Sequence, residues 1–151
     1  MIVKEIDLFK GIDSAVMEEI VNICSEETYA KDEVLFKRGE QADCLYILEE
    51  GSVHLVIENG GSIVFTLGEP GQVFGWSSMV ESGLYTATGV CASDLKAVKI
   101  EGERLDKIFR LHPEVGFTVL KRLAAVVSQR LSNSYHDLLS ARGQDTTPSY
   151  G

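Results

Sequence analysis

Of the side chains that could ligate a metal or attack a substrate, the three histidines and three cysteines are the most telling, and their spacing supports neither role. His54 falls in a strand-like apolar run, His112 precedes Pro113, and His136 lies late in a long amphipathic stretch. No HExxH-type pair puts two imidazoles on one helix face. Cys24, Cys44 and Cys91 are odd in number and lack a CxxC spacing, which argues against a disulfide framework and a zinc knuckle. They read as small buried apolar residues. There is no GxSxG elbow, phosphate-cradling P-loop or dinucleotide fingerprint. The chain therefore reads as non-catalytic, with no metal and no cofactor.

Charge narrows the partners further. The net charge is −9, and from Gly39 to Leu95 there is no lysine or arginine while eight acids occur. Nucleic-acid affinity comes largely from phosphate neutralisation, so a direct nucleic-acid partner is not expected. No apolar run approaches the ~20 residues of a membrane span, and no secretory signal opens the chain. The expectation is no membrane partner and a cytoplasmic protein.

The elements that would position any site come in three blocks. After Asp13-Ser14, either able to cap, Val16, Ile20 and Ile23 recur at helical spacing, with Met17, Val21 and Cys24 widening the face. This predicts N-terminal helices over about 1–27. From about 28 to 101, short apolar runs alternate with glycine-bearing turns, the pattern of an antiparallel sandwich or barrel. The runs are Val34–Phe36, Leu45–Leu48, Val53–Ile57, Ile63–Leu67, Thr86–Cys91 and Leu95–Ile100, and Asn59-Gly60 marks a hairpin. Helix returns over about 102–143, first from about Glu103 to Leu111, then from about Glu114 to Arg142 with a stop at Gly143. The last eight residues, 144–151, are polar and read as a flexible tail. In the long helix Leu120, Ala124, Val127, Leu131, Leu138 and Ala141 recur at a spacing near 3.5, broken by Ser134, which predicts a homodimer seam. The alternative is a helix packed lengthwise on its own domain, for which Leu123 and Val126 offer a second apolar face.

Helix, antiparallel barrel and long terminal helix, in that order, resemble the cyclic nucleotide-binding domain of the catabolite-activator regulators and protein kinase A regulatory subunits. The likeness covers about residues 8–142. Leu8-Phe9-Lys10-Gly11-Ile12 is similar to the family's entry turn. Phe36-Lys37-Arg38-Gly39-Glu40, running on through Asp43, Leu45–Leu48 and Gly51-Ser52-Val53, is similar to its most diagnostic stretch. Leu67-Gly68-Glu69-Pro70-Gly71 and Phe74-Gly75 resemble the lead-in to its phosphate-binding cassette. The implied fold is mainly β with flanking helices, a jelly-roll antiparallel β-barrel (a double-stranded β-helix) occupying residues 1–143.

The resemblance also implies a pocket, and the sequence departs from the family there. A glutamate for the ribose should follow Phe74-Gly75, but Trp76 stands in its place. Ser77-Ser78-Met79-Val80 can still form the short helix, with Ser77 as its cap. An arginine for the phosphate should precede Thr86-Ala87, but Tyr85 stands there, and no other Lys or Arg of the barrel segment replaces it. Arg122 and Arg130 of the long helix are the remaining cations, and Val126 and Val127 sit where some members place base-reading polar residues. A charge-assisted hydrogen bond contributes about 1.5–3 kcal/mol, so losing both contacts moves a micromolar site to roughly millimolar or weaker. Trp76 and Tyr85 either stack on a less charged ligand or plug the vacated cavity.

The expectation is a regulatory module sensing an unidentified small molecule other than cAMP or cGMP and signalling through its long helix. Alternatives are a structural dimerisation module with a closed pocket, or a cyclic-nucleotide sensor with an unusual cassette. In the regulators of this resemblance a helix-turn-helix follows the long helix. Only a short polar stretch follows here, so direct control of transcription is not expected.

Overall fold

The computed structural model describes residues 1–81 and 83–141. The expected flexible tail at 144–151 and the helix stop at Gly143 lie outside these residues. Two short 3-10 turns, Ile2–Glu5 and Asp7–Phe9, precede α1 (Ser14–Asn22), whose N-terminus is capped by Asp13 Oδ2 accepting from the Ala15 amide at 3.2 Å. Eight strands follow: β1 (Cys24–Tyr29), β2 (Val34–Phe36), β3 (Cys44–Glu50), β4 (Val53–Glu58), β5 (Ser62–Leu67), β6 (Val73–Phe74), β7 (Thr88–Cys91) and β8 (Leu95–Glu101). A one-turn 3-10 segment, Trp76–Met79, sits between β6 and β7. Helices α2 (Gly102–Leu111) and α3 (Pro113–Ala141) complete the described chain.

The strands form two antiparallel four-stranded sheets, ordered β1-β8-β3-β6 and β2-β7-β4-β5. This is the expected jelly roll with flanking helices, but as two sheets rather than a closed barrel. The expected N-terminal helical block is also corrected: α1 ends at Asn22, and Cys24–Tyr29 is a strand paired along its length with β8. Its sequence, Cys-Ser-Glu-Glu-Thr-Tyr, is too polar to show a β period. It becomes a strand through its ladder to β8 and the Lys96–Glu26 ion pair at 3.4 Å.

Continuous burial along β3 follows from this sheet having two covered faces. Leu45 and Ile47, with Val98 and Ile100 of β8, point to the helices and join Phe9, Ile20, Leu105 and Leu123 in one core. Cys44, Tyr46 and Leu48, with Leu95 and Ala97, point the other way and meet Phe36, Val53 and Cys91 of the second sheet. The molecule thus has a helix-side core and an inter-sheet core, separated by one layer of backbone.

Asn59–Gly61 turns the β4–β5 hairpin. Only Gly60 takes the left-handed conformation, at φ 71°, so the loop has three residues rather than a two-residue primed turn. Pro113 opens α3, where its missing amide costs nothing. Gly116 lets α3 cross α2 closely, since a Cβ there would lie 2.7 Å from Phe109 Cβ. His112 and Glu19, 2.7 Å apart, tie this corner to α1. Gly116, Val119 and Leu123 are the buried residues of α3, so the helix does pack on its own domain over its first half. The predicted seam lies on another face. Leu120, Leu131 and Leu138 are 43%, 51% and 52% exposed, Ala124 is exposed and Val127 half-buried. Phe117, 67% exposed, extends the same register by one step.

Candidate ligand-binding site

The cassette begins where β6 delivers Phe74 into the inter-sheet core. Gly75 then turns the chain at φ 73°, and a Cβ here would meet Cys44 O at 3.0 Å and the Tyr46 ring at 3.1 Å. Glycine is required both for that conformation and for the close approach. The following turn, Trp76–Met79, is a single 3-10 turn, and no side chain caps it. Gly75, not Ser77, holds the cap position. Ser77 is buried, and Ser78 Oγ is committed to Gly75 O at 3.1 Å.

Tyr85 occupies the interior between the sheets. Its segment is laced to the β2–β3 connection: Tyr85 N donates to Glu40 O at 2.9 Å, Gly39 N to Tyr85 O at 2.8 Å, and Ala42 N to Gly83 O at 2.7 Å. The ring stacks on Phe36 with centroids 4.1 Å apart and an interplanar angle of 21°. Phe36 continues to Tyr46 at 5.7 Å, and Tyr46 to Phe74 at 5.2 Å, so four rings fill the space as one stack. The Tyr85 hydroxyl donates to Cys44 O at 2.9 Å and accepts from Cys44 N at 3.2 Å. Burial raises the pKa of both Tyr85 and Tyr46, keeping the phenols neutral. Beneath Phe36, Gly89 leaves no room for a side chain: a Cβ would lie 2.7 Å from Phe36 Cζ. A cleft of about 400 Å³ remains beside the stack, lined by Tyr85, Phe36, Tyr46, Glu40, Asp43 and Lys99.

Trp76 is not in this space. It packs against the helix-side core, half-buried, and the Arg130 guanidinium lies over its ring at 4.4 Å. The predicted pocket residues therefore separate. Phe74 and Tyr85 face the inter-sheet interior, and Trp76 faces the helices with Val126, which lines a different cleft. Val127 stays half-buried on α3, Ala87 is half-buried beyond Tyr85, and Thr86 is exposed. Arg122 is spent elsewhere: its Nη1 donates to the carbonyls of Asp7, Leu8 and Lys10 at 3.3, 3.3 and 2.6 Å.

Lys99 of β8 lines this cleft, although the sequence offered no Lys or Arg of the strand segment in place of the expected arginine. Residue parity along β8 was the available signal, because Leu95, Ala97 and Lys99 share one face and Ala97 is wholly buried in the inter-sheet core. Phe36 and Tyr46, missed as site residues, lie on the same inter-sheet face.

Comparison with known proteins agrees with this fold. The cyclic nucleotide-binding domain family matches residues 26–112. The chain is 26% identical over 138 residues to Glutaminase 1 of Bradyrhizobium diazoefficiens, covering 89% of this chain and 22% of that protein. It is 23% identical over 134 residues to the CRP-like cAMP-activated global transcriptional regulator of Mycobacterium tuberculosis, covering 87% of this chain and 59% of the regulator. A solved structure from Geobacter metallireducens, described as a cyclic nucleotide-binding protein, superposes with a TM-score of 0.74 at 27% identity, covering 83% of this chain and 92% of that one. The chain thus spans less than two thirds of these two sequence relatives. Among the described residues no helix is long and apolar enough to cross a membrane. Two separate cores, a glycine-turned cassette and a family match spanning most of the strands carry the assignment: the chain belongs to the cyclic nucleotide-binding domain family.

Proposed function

We propose that this domain is a non-catalytic regulatory module of the cytoplasm whose inter-sheet pocket does not take cAMP or cGMP. The carrying observation is the Tyr85 ring, stacked on Phe36 and bonded through its hydroxyl to both backbone polar atoms of Cys44. A nucleotide entering this space would have to displace a buried aromatic and leave a buried amide and carbonyl unpaired, at about 1–3 kcal/mol for each group. The small ligand that the module senses is restricted to the cleft of about 400 Å³ beside Tyr85 and Lys99. The test is a titration of the protein with cAMP and cGMP, followed by thermal shift and calorimetry. Millimolar or weaker binding of both is expected, and a low-micromolar constant for either overturns the proposal.

The output runs through α3. Its seam of Leu120, Ala124, Val127, Leu131 and Leu138, lengthened by Phe117, pairs with a second copy, and no nucleic acid or membrane is contacted directly. Leu131→Asp is expected to convert a dimer to a monomer in sedimentation velocity while leaving the melting of the domain little changed. A wild-type monomer at all concentrations would remove this part of the proposal.

A further inference from the structure

Arg130 is the unresolved charge of the helix-side core. It projects from α3 onto the face of Trp76, and its Nη1 is buried without a hydrogen-bond partner. Among the described residues no carboxylate forms an ion pair with it. Burial lowers its pKa from the usual guanidinium range to about 10, which leaves it charged at neutral pH. A partly buried guanidinium with one buried, unsatisfied nitrogen calls for an acceptor, since leaving such an atom unpaired is costly.

The surroundings indicate what kind of acceptor. Arg130 lines a cleft of about 620 Å³ between the N-terminal 3-10 turns, the β5–β6 loop and α3. Ile6, Pro70, Val73 and Val126 supply apolar wall, and Gln129 and Asn133 supply amides. Glu5 and Asp7 also line it, both exposed, so a doubly charged phosphate meets more repulsion than a singly charged group. This cleft lies on the helix side of the β1-β8-β3-β6 sheet, away from the Tyr85 stack.

We propose that this cleft binds a small organic monocarboxylate, its carboxylate paired with the Arg130 guanidinium over Trp76 and its short apolar body against Ile6, Val73 and Val126. The site is independent of the inter-sheet cleft and of whether that cleft takes a ligand.

Trp76 is the only tryptophan of the chain and lies under the guanidinium, so its fluorescence reads the site directly. The full chain is titrated with butyrate, inorganic phosphate and chloride at matched ionic strength. Butyrate is expected to give a saturable change in emission that chloride does not give and that phosphate gives only at higher concentration. Arg130→Met should abolish saturation, with far-ultraviolet circular dichroism confirming the fold. Arg130→Lys, which keeps the charge but loses the planar fork, should weaken binding by about tenfold or more, and carries the test alone if the methionine variant does not fold. A butyrate response that fails to saturate or matches that of chloride overturns the site. So does saturation that persists undiminished in the substituted proteins. Phosphate saturating below butyrate overturns the carboxylate assignment.

Discussion

The inter-sheet core and the helix-side core each take up one of the two aromatic residues that stand where the sequence resemblance leads one to expect a charged residue, and the two aromatics do opposite things. Tyr85 brings a hydroxyl that satisfies the backbone of Cys44, and its ring completes a four-membered stack. The backbone polar groups of Cys44 are answered there, and the open space left is the cleft at the edge of the stack. Trp76 brings a π-face that draws in the Arg130 guanidinium but offers Nη1 no acceptor. That core is left with a charge looking for a partner. Replacing a charged residue by an aromatic one silences a pocket only when the newcomer also answers the polar groups that remain.

Substitutions can break this contrast, and the largest effect is expected at Tyr85. Tyr85→Ala removes a buried ring and unties Cys44, and should cost about 3–5 kcal/mol in urea unfolding. Next is Gly75→Ala, which forces a side chain onto a left-handed residue against Cys44 O and should cost about 1–3 kcal/mol by the same measurement. Tyr85→Phe keeps the stack and removes only the hydroxyl, which leaves both Cys44 groups unpaired, so a loss of about 2 kcal/mol would isolate the polar share of the Tyr85 contribution. Trp76→Leu should cost least, about 0.5–1 kcal/mol, because its cation–π contact is only part of a half-exposed site. A loss for Trp76→Leu that equals the loss for Tyr85→Ala would show that the two cores are not distinct in kind.

Alkaline pH sharpens the same contrast. Burial raises the Tyr29 phenol from 10.0 to about 12 and raises Tyr46 and Tyr85 as well. The unfolded chain releases these protons near pH 10 while the folded chain retains them. The stabilisation is therefore complete below about pH 10 and is lost as pH climbs through the folded values. Tyr46→Phe should flatten that decline measurably, and an unchanged slope would mean the inter-sheet phenols are not protected.

Much of this was legible in the chain, for physical reasons. The runs of β3 and β8 announced themselves because they bury successive or alternate residues, those of β4 and β5 by their apolar content alone, and Asp13 marked the start of α1. β1 stayed hidden because its partner, not its own apolar content, makes it a strand. β6 is two residues long, below any period. The parting of Trp76 from Tyr85 was also illegible: Gly75 in the left-handed region breaks the alternation that assigns a residue to a face. Gly75 turns Trp76 to the helix side, while the hydrogen bonds of the β2–β3 connection hold Tyr85 between the sheets.

Gly116 has a mechanical consequence. It seats α3 against Phe109 at one end of a helix whose last buried residue is Leu123, so the helix is clamped near its start and long beyond the clamp. At 1.5 Å per residue, Gly116 to Ala141 is a lever of about 37 Å, and a tilt of about 10° at the fulcrum carries the far end about 6–7 Å. Leu138, about 33 Å out, travels about 6 Å while the clamp scarcely shifts, so a small tilt at Phe109 becomes a displacement of about one helical turn at the far end of the seam proposed for a second copy.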